Sequence, residues 1–321
     1  MAYRVFMTFR VFLILMFSFS ANAKSEKTCL YVSSYNIGYE WNDGIERGLK
    51  SVIEGKCQLT KFYMDTKNHK LPDEIKKIAI VARDLIIQTK PDVVIACDDN
   101  AAKYIVMPYF KDAATPFVFC GINWTIEPYG FPYSNVTGIV EISPIKPLIK
   151  EITSIIKYAK KGVYIGPDVI SQHKEFELNK KQYKKSGIEL NAFFVRNMRE
   201  WEDAYINAQK SDFLIIGNNG GIADWNNQRV VDFTLANSTK FSVTNYEWMA
   251  QYAMLAMTKV SEEQGEWAAQ VALAILDGDS PKRIPVVVNR RKHIYSNPTL
   301  LKKANIKLSE TLIHQSIKVG M

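Results

Sequence analysis

Carboxylates, amides and aromatic rings gather in this sequence where short apolar runs end. The first such run, 29–34, leads into Ser33, Ser34, Tyr35, Asn36, Tyr39, Glu40, Trp41, Asn42 and Asp43. Asn42 or Asp43 suits the cap of a following helix, which accounts for one residue and not for the rings around it. Run 92–97 is followed by Asp98, Asp99 and Asn100, where one acid would serve as a helix cap and the second acid and the amide exceed that need. Run 117–120 ends in Gly121, Asn123 and Trp124. Run 212–217 ends in Asn218, Asn219, Gly220 and Gly221, where turn chemistry explains Asn219 to Gly221 equally well. Glu247 and Trp248 follow the run at 241–243.

Together, Ser34, Tyr35, Tyr39, Trp41, Asp98, Asp99, Asn100, Asn123, Trp124, Asn218, Asn219, Glu247 and Trp248 are the candidate ligand-binding residues. Carboxylates beside Tyr and Trp faces suit a ligand carrying an ammonium group, through charge-assisted hydrogen bonds and cation–π contact. Any one of these rings alone reads as core packing, so the grouping is the signal. No G-x-S-x-G elbow, H-E-x-x-H, Walker loop or G-x-G-x-x-G follows a strand. His69, His173, His293 and His314 lack partners at metal-ligand spacing and read as surface residues. The expectation is therefore binding without catalysis, metal or cofactor.

The elements that must position these residues follow an α/β rhythm. Apolar, β-branched runs alternate with longer amphipathic stretches, as in parallel sheets with crossover helices. The first series predicts strands at 29–34, 58–64, 92–97 and 117–120 with helices at 43–55, 72–89 and 99–107. After an apolar passage at 136–142 a second series begins, with strands at 163–165, 188–195, 212–217 and 241–243 and helices at 144–157, 168–186, 199–209 and 225–236. Helices at 246–258 and 262–277 and a strand at 284–288 complete the reading. Two doubly wound, Rossmann-like lobes joined by a hinge result: lobe I over 24–140 with 246–280 returning to it, and lobe II over 141–245 with 281–321 packing as strand and tail. Strand ends and domain junctions are where small ligands settle.

Composition narrows the partners. The first 23 residues read as a cleavable secretory signal: Arg4 and Arg10, an apolar run from Val11 to Phe19, then Ala21, Asn22 and Ala23 before Lys24. That run is about half of the ~20 residues needed to cross a bilayer, so no membrane insertion is expected. Forty-one Lys and Arg against 33 Asp and Glu give a mild positive excess, and the Lys pairs are scattered along helix faces without interleaved aromatics, so nucleic acid is not an expected partner. Cys29 and Cys57 begin neighbouring strands and read equally well as a disulfide or as two buried thiols. Cys97 and Cys120 read as buried small hydrophobes.

The chain resembles the periplasmic binding proteins of ABC transporters, in particular the family that includes tryptophan- and tyrosine-uptake proteins. The resemblance rests on Tyr35 to Asp43 leading into Gly44, Ile45, Glu46, Arg47, Gly48 and Leu49, and on Pro91 to Cys97 followed by Asp98, Asp99, Asn100, Ala101 and Ala102. It extends through Thr115 to Phe119, Asn135 to Ile139, Ala272 to Pro285 and Leu301 to Leu312. It implies the type I periplasmic binding protein fold, with a small polar or amine-bearing, amino-acid-like ligand enclosed between the lobes of a monomer in the periplasm. The implied partner is an ABC permease. A membrane sensor protein, kinase or cyclase, is the alternative partner, and a periplasmic enzyme using Asp98, Asp99 or Glu247 as acid–base groups is a third reading.

Overall fold

The computed structural model describes residues 27–69 and 71–320. The expected signal segment lies outside the described residues. Strands β1 (Thr28–Ser33), β2 (Gln58–Tyr63), β3 (Val93–Cys97), β4 (Phe117–Asn123) and β5 (Val136–Glu141) alternate with helices α1 (Glu40–Ile53), α2 (Pro72–Thr89), α3 (Asp98–Ala101) and α4 (Met107–Tyr109). A π-helical turn, Ala102–Val106, joins the last two helices. The second series comprises α5 (Ile145–Ile155), β6 (Lys161–Pro167), α6 (Ile170–Lys185), β7 (Glu189–Val195), α7 (Met198–Ala208), β8 (Phe213–Ile216), α8 (Asn227–Asn237) and β9 (Phe241–Thr244). The chain ends through β10 (Leu255–Lys259), α9 (Ser261–Leu276), β11 (Val287–Val288), β12 (Lys292–Ser296), α10 (Pro298–Lys303), α11 (Glu310–Gln315) and β13 (Ile317–Lys318). Among the described residues no helix is long and apolar enough to cross a membrane.

Two sheets result, in the orders β11-β5-β4-β3-β1-β2 and β13-β12-β10-β9-β8-β6-β7. The pairings from β2 to β5 and from β7 to β10 are parallel, and each series has the doubly wound order in which strand direction of travel reverses beside its first strand. Period-two alternation places successive residues in different cores. Leu30 and Val32 join one buried cluster with Val94 and Ala96, while Cys29 and Tyr31 join another with Val93, Ile95 and Cys97. In the second sheet Tyr164, Phe213 and Ile215 face one core, and Val163, Ile165, Leu214 and Ile216 face the other.

The last third of the chain departs from the expected layout. In place of a helix at 246–258 returning to the first lobe, Glu247–Tyr252 forms a 3-10 turn and β10 pairs with β9 in the second sheet. The run LAMTK carries no period that separates a strand from a helix, and pairing with β9 decides it. The return to the first lobe begins at α9, and β11, expected among the lobe II tail, pairs with β5 of the first sheet. The chain therefore passes between sheets three times: from β5 to α5, from β10 to α9 and from β11 to β12. Side chains join these crossings. Asn289 Oδ1 accepts from Ile142 N at 2.6 Å, Asn289 Nδ2 donates to Ile142 O at 3.1 Å, and the Glu263 carboxylate accepts from the backbone of Arg290 and Arg291.

Two disulfides brace the first lobe. Cys29 bonds Cys57, which resolves the open alternative. Cys97 bonds Cys120, correcting the expectation of two buried thiols. They are direct cross-strand partners on one face of β3 and β4, with Cα atoms 4.6 Å apart, a register that a linear reading does not supply. Each closes a loop of more than twenty residues, worth roughly 3 kcal/mol by chain entropy.

Helix α9 docks on α1 through glycines. A methyl at Gly265 would overlap the Ile45 carbonyl, and one at Gly48 would overlap the Glu262 carbonyl. Both obstacles are backbone, which cannot swing aside. Gly265→Ala and Gly48→Ala are each expected to cost about 1–3 kcal/mol by overpacking. Thermal denaturation of the purified variants checks this; an unchanged Tm would show that the two helices separate without penalty.

Candidate functional site

Open α/β sheets bind ligands beyond the carboxyl ends of their strands, where strand order reverses. In the first sheet that place lies between β1 and β3, and it gathers Tyr35, Asp98 and their neighbours. Ser34 closes it from beneath. Fully buried, its hydroxyl donates to Cys97 O at 2.8 Å and accepts from Ala101 N at 2.9 Å, so it locks β1 to α3 and its proton is committed there. Asn42, expected as a possible cap, is buried inside α1 and accepts from the Tyr31 and Ser33 hydroxyls, while Asp43 accepts from Gly38 N. Neither Asp98 nor Asp99 caps α3, whose N-cap is Cys97 without a side-chain bond.

Neither acid is spent on capping. Asp98 is 1% exposed, holds a left-handed φ of 72°, and its Oδ2 has no hydrogen-bond partner. Burial pushes its carboxyl well above the ordinary range, and the charges of Glu141 and Asp99 push it further; Lys67 and the Trp41 indole act in the opposite direction. Asp99 is anchored instead. It accepts from Asn123 Nδ2 at 2.7 Å and from the Tyr129 hydroxyl at 2.5 Å. Asn100 donates to Thr66 Oγ1 at 2.8 Å.

Aromatic side chains adjoin Asp98: its charge acts on Tyr35 and Tyr39, and the Trp41 indole bonds it. Tyr35 and Tyr39 meet edge to face at 5.1 Å, and the Lys67 ammonium lies over both rings, 4.4 Å and 4.7 Å from their centroids. The Lys259 ammonium lies 4.9 Å over Trp41 and pairs with Glu141. Glu141 ends β5 and Lys259 ends β10, so this buried pair connects two of the passages between sheets. Burial raises the Glu141 carboxyl, and Lys259 opposes that rise.

The second sheet supplies the facing wall. Trp124, at a left-handed φ of 65°, packs against the lobe II core. Its indole and Asn179 support Glu175 on α6, a carboxyl raised by burial and by Glu141, against the pull of Lys259. Gln172 accepts from the Tyr164 hydroxyl at 2.5 Å and donates to the Tyr246 hydroxyl at 3.2 Å. Tyr246 also feels Glu175 and bonds Asn218, so Asn218 reaches this wall. Trp248, 57% exposed, leans on Tyr246 with ring centroids 5.1 Å apart. Asn219 forms a turn, its carbonyl accepting from Ile222 N. Glu247 is exposed and engages Tyr295 on β12, outside the group of mutually interacting carboxylates.

The residues that the sequence left unmarked are Lys67, Glu141, Gln172, Glu175, Tyr246 and Lys259. The available signal was faint: Glu141 and Lys259 are single charges ending otherwise apolar strands. Among the described residues no group of His, Cys, Asp or Glu is arranged to hold a metal ion. The arrangement can surround a small cation with carboxylates and ring faces drawn from both lobes.

A family model described as ABC transporter substrate binding protein matches residues 34–319. No curated protein matches the sequence. Among solved structures, the ligand-free, open CD0873 of Clostridium difficile, a substrate binding protein with adhesive properties, is similar at a TM-score of 0.72 and 14% identity, covering 91% of this chain and 99% of that one. An ABC domain from Streptococcus pneumonia in complex with L-Trp is similar at 0.60 and 15% identity, with 92% and 100% covered. A periplasmic ribose ABC transporter protein from Conexibacter woesei is similar at 0.54 and 14% identity, with 91% and 98% covered. At such identities these likenesses establish the fold, two α/β lobes of the type I periplasmic binding protein class.

Asp98 carries a stability signature. Its folded-state carboxyl lies above its unfolded value, so its contribution to stability is fully present at pH below the unfolded range near about 3.9 and is lost as pH rises through the raised folded value. Asp98→Asn removes that loss and keeps a residue type that tolerates the left-handed φ. The expected result is a variant melting a few degrees above the parent at pH 8, with the gap closing at pH 4. A variant less stable than the parent at pH 8 would contradict this assignment.

Proposed function

The chain belongs to the ABC transporter substrate-binding protein family, and we propose that it captures a small amine-bearing, amino-acid-like solute between its lobes for an ABC importer. The observation that carries the ligand class is Asp98: a carboxyl that is almost wholly buried, with one oxygen accepting no hydrogen bond, bonded by the Trp41 indole and near enough to Tyr35 and Tyr39 for its charge to act on both. A buried acceptor without a donor costs stability, and an ammonium group would satisfy it by a charge-assisted bond. The Asp98 and Tyr35 wall belongs to the first sheet and the Glu175 and Tyr246 wall to the second, so a ligand touching both favours their approach. In this reading residues 1–23 direct the chain across the cytoplasmic membrane, and the closed, loaded form is what a permease and its ATPase recognise in the periplasm.

A thermal-shift screen of amines, amino acids, nucleosides and sugars tests the reading, because a ligand that binds only the native state raises Tm by mass action. The expected hits are among amines and amino acids, and hits confined to sugars or nucleosides would overturn the ligand class. Asp98→Ala and Trp124→Ala should each remove the shift while leaving a cooperative melting transition. If both variants shift as the parent does, the ligand lies elsewhere.

A further inference from the structure

Away from the cleft, segments from all three crossings between the sheets meet around a hollow, basic stretch of surface. Strands β10 and β12 pair antiparallel, with Met257 opposite Ile294 and Lys259 opposite Lys292. Direct partners in such a pair share a face of the sheet, and here Met257 and Ile294 join the lobe II core. Beside α5 and α11 the surface sinks over these residues into two adjoining hollows of about 420 Å³ and 390 Å³, which share Lys292, Ile294 and Gln315. Met257, Ile294 and Leu312, each less than a tenth exposed, give the larger hollow an apolar floor.

The rim is cationic. Lys146 and Lys150, one helical turn apart on α5 after the first crossing, line the larger hollow with Lys292. Arg290 and Arg291 of the third crossing line the other, together with Val260 of the second. Arg291 pairs with Glu266 at 3.0 Å, and the Glu263 carboxylate is spent on the backbone of Arg290 and Arg291. Among the described residues Lys146, Lys150, Arg290 and Lys292 enter no ion pair, and Glu151 is the one acid that lines either hollow. Like charges spaced i, i+4 on a helix repel, so folding alone gains nothing from this gathering. None of the residues placed at the interlobe cleft lines it.

We propose that this depression is a second ligand site, distinct from the cleft, for a small multivalent oxyanion of the phosphate type. The unpaired cations stand on two sides, α5 and the segment 290–292, so an anion with two charged groups engages both where a single charge engages one. Lysine ammonium groups bind phosphate as point charges, Arg290 adds a planar fork of donors, and the Gln315 amide adds a neutral one. The volume is that of a small-solute site and the surface is concave, which suits a free anion and not the flat face of a bilayer. An anion held there joins the first helix of lobe II to the third crossing.

Calorimetry of the full mature chain with inorganic diphosphate at low ionic strength tests the site, because exposed charges are screened by salt. One diphosphate per chain is expected, held at least about tenfold more tightly than nitrate. Lys146→Gln combined with Lys292→Gln should weaken diphosphate about tenfold or more without changing Tm. Lys50→Gln combined with Lys77→Gln, which removes the same charge from exposed positions on α1 and α2 of the other lobe, should leave the affinity as it was. Asp98→Ala, at the cleft, should leave it unchanged too. No diphosphate binding, or equal weakening by the two double variants, would overturn the proposal, the latter because it reports net charge alone. Loss of binding in Asp98→Ala would place the anion in the cleft and overturn it as well. Capture by vesicles of anionic phospholipid that diphosphate does not relieve would make the depression a membrane contact instead.

Discussion

The pairing of Glu141 with Lys259 is the interaction on which the two lobes depend. Each residue ends the strand by which the chain leaves one sheet for the other, and both lie in a largely desolvated setting. Removing one partner of such a pair leaves an uncompensated charge and is costly, whereas the intact pair adds little net stability. Its value is therefore positional. It holds the ends of β5 and β10 together, with Trp41 beneath the ammonium, while Asn289 fastens the third crossing to the first.

That arrangement explains why the site tolerates acids that the fold would otherwise avoid. Asp98 and Glu141 are buried with raised carboxyls, and Asp98 lacks a full set of partners. Disulfides brace the same region: Cys97, the residue before Asp98, bonds Cys120, the residue before Gly121. The backbone of the two loops that present Asp98 and Trp124 is thus tied directly beneath the acids. Rigid support beneath an incompletely partnered carboxyl is an expected feature of a site organised in advance of a ligand.

The paired α/β lobes were legible in the sequence because β-branched runs at 29–34, 92–97 and 212–217 are short, apolar and bounded by turn residues. Asp98, Tyr35, Tyr39, Trp41, Trp124 and Asn218 stood out as candidates because they follow such runs. Ser34 and Glu247 carried the same signal, yet the Ser34 hydroxyl bonds β1 to α3 and Glu247 turns toward Tyr295. Position after a strand fixes proximity to the cleft and not the direction of a side chain. Lys259 was illegible because β10 resembles a helix until it pairs with β9. The Cys97–Cys120 bond was hidden for a related reason, since only the register of β3 against β4 brings those two residues face to face.

Helix α9 docks on α1 by backbone contact at Gly48 and Gly265, although more than two hundred residues separate the two glycines along the chain. The first lobe consequently cannot be completed from its own contiguous sequence. Its last layer and the edge strand β11 come from the far end of the polypeptide, after the second sheet has been threaded in between. Contacts of such sequence separation slow folding, because loop closure precedes the gain from packing. A nascent chain released in N-to-C order would keep the α1 face uncovered until residues beyond 261 emerge.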